Sequence, residues 1–190
     1  MSLIFNVATE RDRYQARQLV LERAWNLRLE LAPGVVFQPE TVESVEDQVL
    51  ETLWAEGKSL ETIDTQEETE IRASFAVLTP RREPGGMSIA ATLLLGFPAD
   101  ERGQMLGRLC GLPEQLMLEL GSGARVAPEV DQGSASPGDR LPAVLALRYH
   151  LPQDEVPVAL VSTHEALAGR FEPAGSWAGW IPELPTFHAR

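Results

Sequence analysis

Apolar residues along this chain follow two rhythms, one helical and one alternating, and each predicts elements. Thr9 is a helix cap with Asp12 three residues on. Tyr14, Leu21 and Trp25, supported by Val20 and Ala24, then recur at the spacing of one helix face. The rhythm changes to alternation in Leu27-Arg-Leu-Glu-Leu31, Pro33-Gly34 is a turn, and Val35-Val-Phe37 is a second short strand. Thr41 caps the next helix, whose apolar stripe is Val42, Val45, Val49, Leu50, Leu53 and Trp54 and whose stop is Gly57. Thr65 and Glu68 form the capping pair of a further helix to about residue 78, with Ile71, Phe75 and Leu78 on its apolar side.

The second half is richer in strands. Residues 81–86 read as a loop. Met87, Ile89, Ala91, Leu93, Leu95 and Phe97 then alternate with Ser88, Ala90, Thr92, Leu94 and Gly96. One face is fully apolar and the other small or weakly polar, the pattern of a central strand covered on both sides. Pro98 opens a helix over 99–110 that stops at Gly111, with Met105, Leu106, Leu109 and Cys110 facing inward. Leu116, Leu118 and Leu120 predict a strand, and residues 124–128 its hairpin partner across Gly121-Ser-Gly123. Residues 129–140 predict a loop. Leu145, Leu147, Tyr149 and Leu151 predict another strand, residues 152–155 a hairpin turn, and 156–163 the returning strand. Ser162 and Glu165 predict the cap of a short helix to about Arg170.

Strands joined by short turns must run antiparallel, and the regular strand–helix alternation of a doubly wound sheet is absent. The expectation is therefore a single α+β domain over 1–190. It has a predominantly antiparallel sheet of about five to seven strands, with mixed pairing left open, and helices packed on it. Acidic helices occupy the N-terminal half, and an irregular tail at about 171–190 is anchored by Trp177 and Trp180.

Composition narrows the class. Of 190 residues, 44% are hydrophobic and 23% charged, which is ordinary globular usage and enough chain for a real core. The net charge of −12 sets the surface against nucleic acid and anionic membranes, so neither is an expected partner. Residues 40–70 hold eleven acids and one base, Lys58, so nearly all of that charge lies in one helical region. Glu43, Glu46, Asp47 and Glu51 are there either a solvated helix face or a docking surface for a basic protein partner. The single cysteine, Cys110, excludes an intramolecular disulfide framework and a cysteine-rich zinc or iron–sulfur site, and it reads as a buried small hydrophobe. The first nine residues lack the cationic start and apolar run of a secretory signal. The longest apolar stretch, 89–97, is about half of the ~20 residues that a membrane helix needs. The expected location is cytoplasmic.

Catalytic patterns are missing. Gly121-Ser-Gly123 lacks the third glycine and the following helix of a dinucleotide loop, and no phosphate loop or nucleophile elbow is present. His150, His164 and His188 have no metal-ligand spacing, so no metal and no cofactor are expected, and whether the chain is an enzyme stays open. The most suggestive polar pair is Arg148 and His150, which share the face of their strand opposite Leu145, Leu147, Tyr149 and Leu151. They are candidate contacts for an anion or small ligand, or an exposed sheet face carrying a structural ion pair. A hairpin at 152–155 would set His164 opposite Ala143 and keep it away from them.

Several segments resemble one bacterial family, the domain-of-unknown-function family numbered 3501. They are Leu31-Ala-Pro-Gly-Val-Val-Phe37, then Thr41-Val42 with Gln48 and Leu53, and Ala91-Thr-Leu93. Residues 102–109 with Gly111, Leu147-Arg-Tyr149 and His164 complete the set. The similarity covers roughly residues 15–170. This chain differs in lacking the family's Asn near Gln38-Pro39, its Lys-Thr-Ser run before the Leu-Arg-aromatic strand, and its Pro after the last histidine. The resemblance implies no reaction, cofactor or metal. It implies an accessory role linked to redox or oxidative-stress systems. The functional expectation is thus an accessory protein acting through protein–protein contacts, of unknown oligomeric state, with an anion-binding protein or enzyme built on Arg148 as the alternative.

Overall fold

The computed structural model describes residues 10–57, 64–131, 141–152 and 155–180. The fold is α+β, and every strand pairing is antiparallel. Helix α1 (Glu10–Leu27) leads into a hairpin of β1 (Leu29–Ala32) and β2 (Val35–Glu40). Gly34 turns this hairpin at φ +79°, and a Cβ there would meet the Gly96 carbonyl oxygen at 2.7 Å, so only glycine fits. Helix α2 (Val42–Ala55) begins at a capping box in which Thr41 and Ser44 exchange side-chain-to-backbone hydrogen bonds. Helix α3 (Thr65–Ser74) follows, then a hairpin of β3 (Arg81–Glu83) and β4 (Gly86–Leu95), and helix α4 (Arg102–Arg108). The remaining strands are β5 (Leu116–Leu120), β6 (Arg125–Val126), β7 (Glu129–Asp131), β8 (Val144–Pro152), β9 (Pro157–Ser162) and β10 (Gly169–Phe171).

The strands divide into two sheets. The larger has the order β1-β2-β4-β8-β7, with β3 sharing with β2 the side of β4 that β8 leaves open; the smaller has the order β10-β9-β5-β6. Odd-numbered side chains of β4 (Met87, Ile89, Ala91, Leu93, Leu95) and those level with them on β2 and β8 join Leu116, Leu118, Leu120 and Leu160 of the smaller sheet in one apolar core. Trp177 and Trp180 close that core. Trp180 packs edge-on against both Trp177 and Phe37, Trp177 lies tilted against Phe37, and the indole N–H groups of Trp177 and Trp180 donate to the carbonyls of Leu27 (3.1 Å) and Glu40 (2.8 Å). On the other face of the larger sheet, Val36 and Ala90 are buried, as are Val20 of α1 and Val45, Val49, Leu50 and Leu53 of α2. The layers are thus helices, large sheet, small sheet, and the two-sided burial expected of β4 is present.

Several local expectations are corrected. Asp64, not Thr65, caps α3, because its carboxylate reaches the N–H groups of Gln66 and Glu67, and the helix stops at Ser74. Residues 81–83 are a strand, since the Pro84-Gly85 turn folds them back onto β4. Helix α4 is shorter than 99–110, and after it Cys110 is exposed rather than buried, because the backbone turns at Gly111 (φ +84°). Residues 129–131 are a strand, drawn onto the open edge of β8; residues 132–140 lie outside the described ones. Strands β8 and β9 do not form a hairpin: β8 is already paired on both edges, by β4 and β7, and the chain crosses to the other sheet. The predicted last helix is a single 3₁₀ turn, Glu165–Leu167, capped by His164.

Candidate functional site

The helix-side face of the large sheet carries most of the buried polar groups, because the even-numbered residues of β2, β4 and β8 point there. Glu40 ends β2 and is 2% exposed. Its carboxylate accepts hydrogen bonds from Thr92 (2.5 Å) on β4 and from Ser44 (2.7 Å) and Gln48 (2.9 Å) on α2. Burial pushes its pKa up, and the three donors offset only part of that. Two strands and a helix thus meet at one carboxylate, with no arginine on it among the described residues. Of this set the sequence drew attention to Gln48 and Thr92 and passed over Glu40, because an acid just before a helix cap reads as surface charge.

Arg148 lies beside Ala90 on the same face and is buried. One terminal nitrogen donates to Ser88 Oγ (2.6 Å), and the other to the carbonyls of Ala76 (2.8 Å) and Val77. Burial, and then the charge of Arg81, lowers its pKa from the ordinary value. The residue pins the turn after α3 to the sheet, so these donors are already engaged by the protein.

His150, level with Ser88, is on the same face but exposed. Its Nδ1 is 3.1 Å from Glu83 of β3 and its Nε2 is 3.2 Å from Glu129 of β7. Burial raises the pKa of Glu83, but hydrogen bonds from Arg81 (2.8 Å) and His150 hold it below its ordinary value. The sequence thus places Arg148 and His150 on one face correctly, and the structure gives them different tasks. His164 does not join them. It stands at the end of β9 in the smaller sheet, where Nε2 faces the Cys110 carbonyl (3.1 Å) and Nδ1 accepts from the Ala166 N–H (3.2 Å). That pattern requires the Nε2–H form of a neutral ring.

The four acids expected to form a partner surface are mostly occupied inside the molecule. Glu46 pairs with Arg72 of α3 (2.9 Å), and Arg17 of α1 pairs with both Asp47 (2.7 Å) and Glu51. Asp47 is 4% exposed and faces α1 rather than solvent, which corrects the expectation that it lies on the outer side of α2. Burial pushes its carboxyl pKa up despite Arg17. Glu43 sits half-buried in the first turn of α2, where the helix dipole favours a negative charge.

The outward side of α1 is the less expected surface. Leu19, Leu21 and Trp25 are 58%, 42% and 66% exposed, and Trp54 of α2 is 48% exposed. Periodicity marks Leu21 and Trp25 as core, but among the described side chains of α1 Val20 is the buried one. Leu21 and Trp25 share one open face of α1 with Gln18, Glu22 and Asn26. Arg17 stacks over Trp54 (5.2 Å to the ring centre) and Arg28 over Trp25 (4.4 Å). Among the described residues no group of three or more His, Cys, Asp or Glu is arranged to hold a metal ion. Among them, too, no helix is long and apolar enough to cross a membrane.

Residues 2–174 match the family described as "Protein of unknown function (DUF3501)". The chain belongs to the DUF3501 family. One solved structure, a protein of unknown function from Burkholderia pseudomallei K96243, is similar to this DUF3501 chain at 20% identity and a TM-score of 0.68. The match covers 90% of this chain and 92% of that one. At that identity the likeness shows a shared fold. No curated protein matches the chain.

Proposed function

We propose that this DUF3501 protein is an accessory protein that works by binding another protein, with the outer side of α1 and Trp54 of α2 as its contact surface. The observation that carries the reading is that Leu21 and Trp25, one helical turn apart, lie together on the open solvent side of α1. Contiguous exposed apolar surface of this kind marks interaction sites. Positions 17, 21, 25 and 28 follow helical spacing, so the surface runs as Trp54, Arg17, Leu21, Trp25 and Arg28. Tryptophan and arginine are the side chains that most often dominate binding energy, and a helical stripe of them suits an amphipathic partner segment laid alongside.

Charge selects among occupants. The chain carries −12, and Glu22 is the charged side chain that shares this face with Leu21 and Trp25. A second copy would bring −12 against −12, whereas a basic amphipathic segment of another protein meets an attractive field. The link to redox or oxidative-stress systems and the cytoplasmic location belong to this proposal as well. The first rests on the family resemblance and the second on composition.

The test compares the native protein with the double substitution Leu21→Gln and Trp25→Gln, which leaves the charge unchanged. A partner captured from host extract is identified, purified and titrated against both by calorimetry at low and high salt. The expected result is binding to the native chain that weakens with salt and is lost in the variant. Equal binding by both proteins, or sedimentation showing that the native chain self-associates through this face, overturns the proposal.

A further inference from the structure

His150 joins two short elements, each of which pairs with the large sheet over three residues, Val130 of β7 also packing against the core. Strands β3 and β7 are three residues each and flank the β4–β8 pair on opposite sides, and β7 is a sheet edge. Such short strands are marginal by their ladder bonds alone. From the middle of this arrangement His150 reaches Glu83 of β3 through Nδ1 and Glu129 of β7 through Nε2, at 3.1 and 3.2 Å. An ionised carboxylate only accepts hydrogen bonds, and a neutral imidazole has one N–H and one lone pair. The Nδ1 contact is a hydrogen bond and the Nε2 contact an ion pair, so the doubly protonated, charged ring is the form that favours both at once. With a neutral ring, one carboxylate faces a lone pair and is repelled.

We propose that His150 is a proton-operated clasp that holds edge strand β7 against the large sheet when charged and lets it go when neutral. The surrounding charges decide which arm opens. On β3, Arg81 also bonds Glu83 (2.8 Å), so that carboxylate keeps its position and favours the Nδ1–H form of the neutral ring. On β7, Glu129 has a side chain that is 73% exposed, against 28% for Glu83. On β8 itself, Arg148 attracts both carboxylates, but its terminal nitrogens are bound to Ser88 and to the carbonyls of Ala76 and Val77. Strand β4 contributes Ser88, which does not titrate. The neutral ring thus retains Glu83 and drops Glu129, so β7 loosens while β3 stays.

The test is amide hydrogen exchange at residues 129–131, corrected for the intrinsic effect of pH, together with nitrogen spectra of ¹⁵N-histidine-labelled protein. As pH rises through the titration of the His150 ring, protection of β7 should fall about 1.5- to 5-fold, the range of a partly exposed ion pair. Protection at residues 81–83 should not change, and Nδ1 should retain its proton. In Glu129→Gln the step in β7 should vanish while the ring still titrates. In Glu83→Gln the step should persist. A native protein with no step in β7, or a step that survives in Glu129→Gln, overturns the clasp. A neutral ring that keeps its proton on Nε2 overturns the assignment of the arm that opens.

Discussion

The two faces of the large sheet are built from the same strands and behave as different materials. Along β4, Met87, Ile89, Ala91, Leu93 and Leu95 meet the smaller sheet through apolar contact. One residue out of phase, Ser88 and Thr92 meet Arg148 and Glu40 through hydrogen bonds. Dispersion and the hydrophobic effect act in every direction, so the first face tolerates no charge but asks no particular orientation of its contacts. The second depends on directed donors and acceptors, and it responds to pH and to the loss of single atoms. Its elements are also the ones that carry the candidate surface and the His150 clasp. The comparison suggests a division of labour in which one face supplies stability and the other sets the position of α1, α2, β3 and β7.

The largest expected effect tests the apolar face. Leu93 is fully buried at the centre of β4, and Leu93→Asp would place a carboxylate there with no partner. The cost should exceed ~3 kcal/mol, read as a loss of cooperative folding or a large drop in urea midpoint. A variant that unfolds close to the native midpoint would show that the face is not sealed. Next comes the polar face. Arg148→Met keeps the volume but removes the bonds to Ser88, Ala76 and Val77, and it should cost about 1–3 kcal/mol. If it is neutral, the turn after α3 is held by something other than this guanidinium.

Glu40 gives the comparison its pH dependence. Burial raises its pKa in the folded protein above its value in the unfolded chain. The folded state therefore binds this proton more tightly. Its contribution is fully present below the unfolded pKa and is lost as pH rises through the folded one. Glu40→Gln keeps the shape and removes the titration. Relative to the native protein, the variant should gain stability on going from acid to neutral pH, measured by urea unfolding across that range. A flat difference would mean that Thr92, Ser44 and Gln48 balance the burial of the charge, and one of opposite sign that they outweigh it.

What the sequence made legible follows from the same physics. Alternation in 87–97 identified the central strand and both of its faces, because period-2 burial leaves a direct trace in residue type. It also put Arg148 and His150 on one side. Pairing was less legible: β8 and β9 lie close together in sequence, and only the occupation of both edges of β8 explains why they separate. Glu40 and Asp47 were hidden because a buried acid is chosen for partners distant in the chain, such as Thr92 or Arg17. The helical period of α1 is legible in its sequence and its orientation is not. Periodicity says that a face is apolar and does not say what covers it.

That orientation yields the smallest expected effect on stability and the sharpest test of the division of labour. If α1 were held by its apolar stripe, replacing Leu21 and Trp25 would loosen the helix layer. The structure instead holds α1 by Val20, by Arg17 on Asp47 and Glu51, and by the Ala24 carbonyl, which accepts from Gln38 Nε2 at 2.9 Å. Leu21→Gln with Trp25→Gln retains good helix formers and removes side chains that are 42% and 66% exposed. Thermal unfolding should shift by no more than ~0.5 kcal/mol in stability, the usual range for surface changes. Sacrificing that much apolar surface without destabilising the fold would show that the stripe serves contact with something else. A loss of more than about 1 kcal/mol, beyond the usual range for surface changes, would instead make Leu21 and Trp25 part of the helix layer's own packing, and the proposed contact surface would have to be sought elsewhere on the helix side of the sheet.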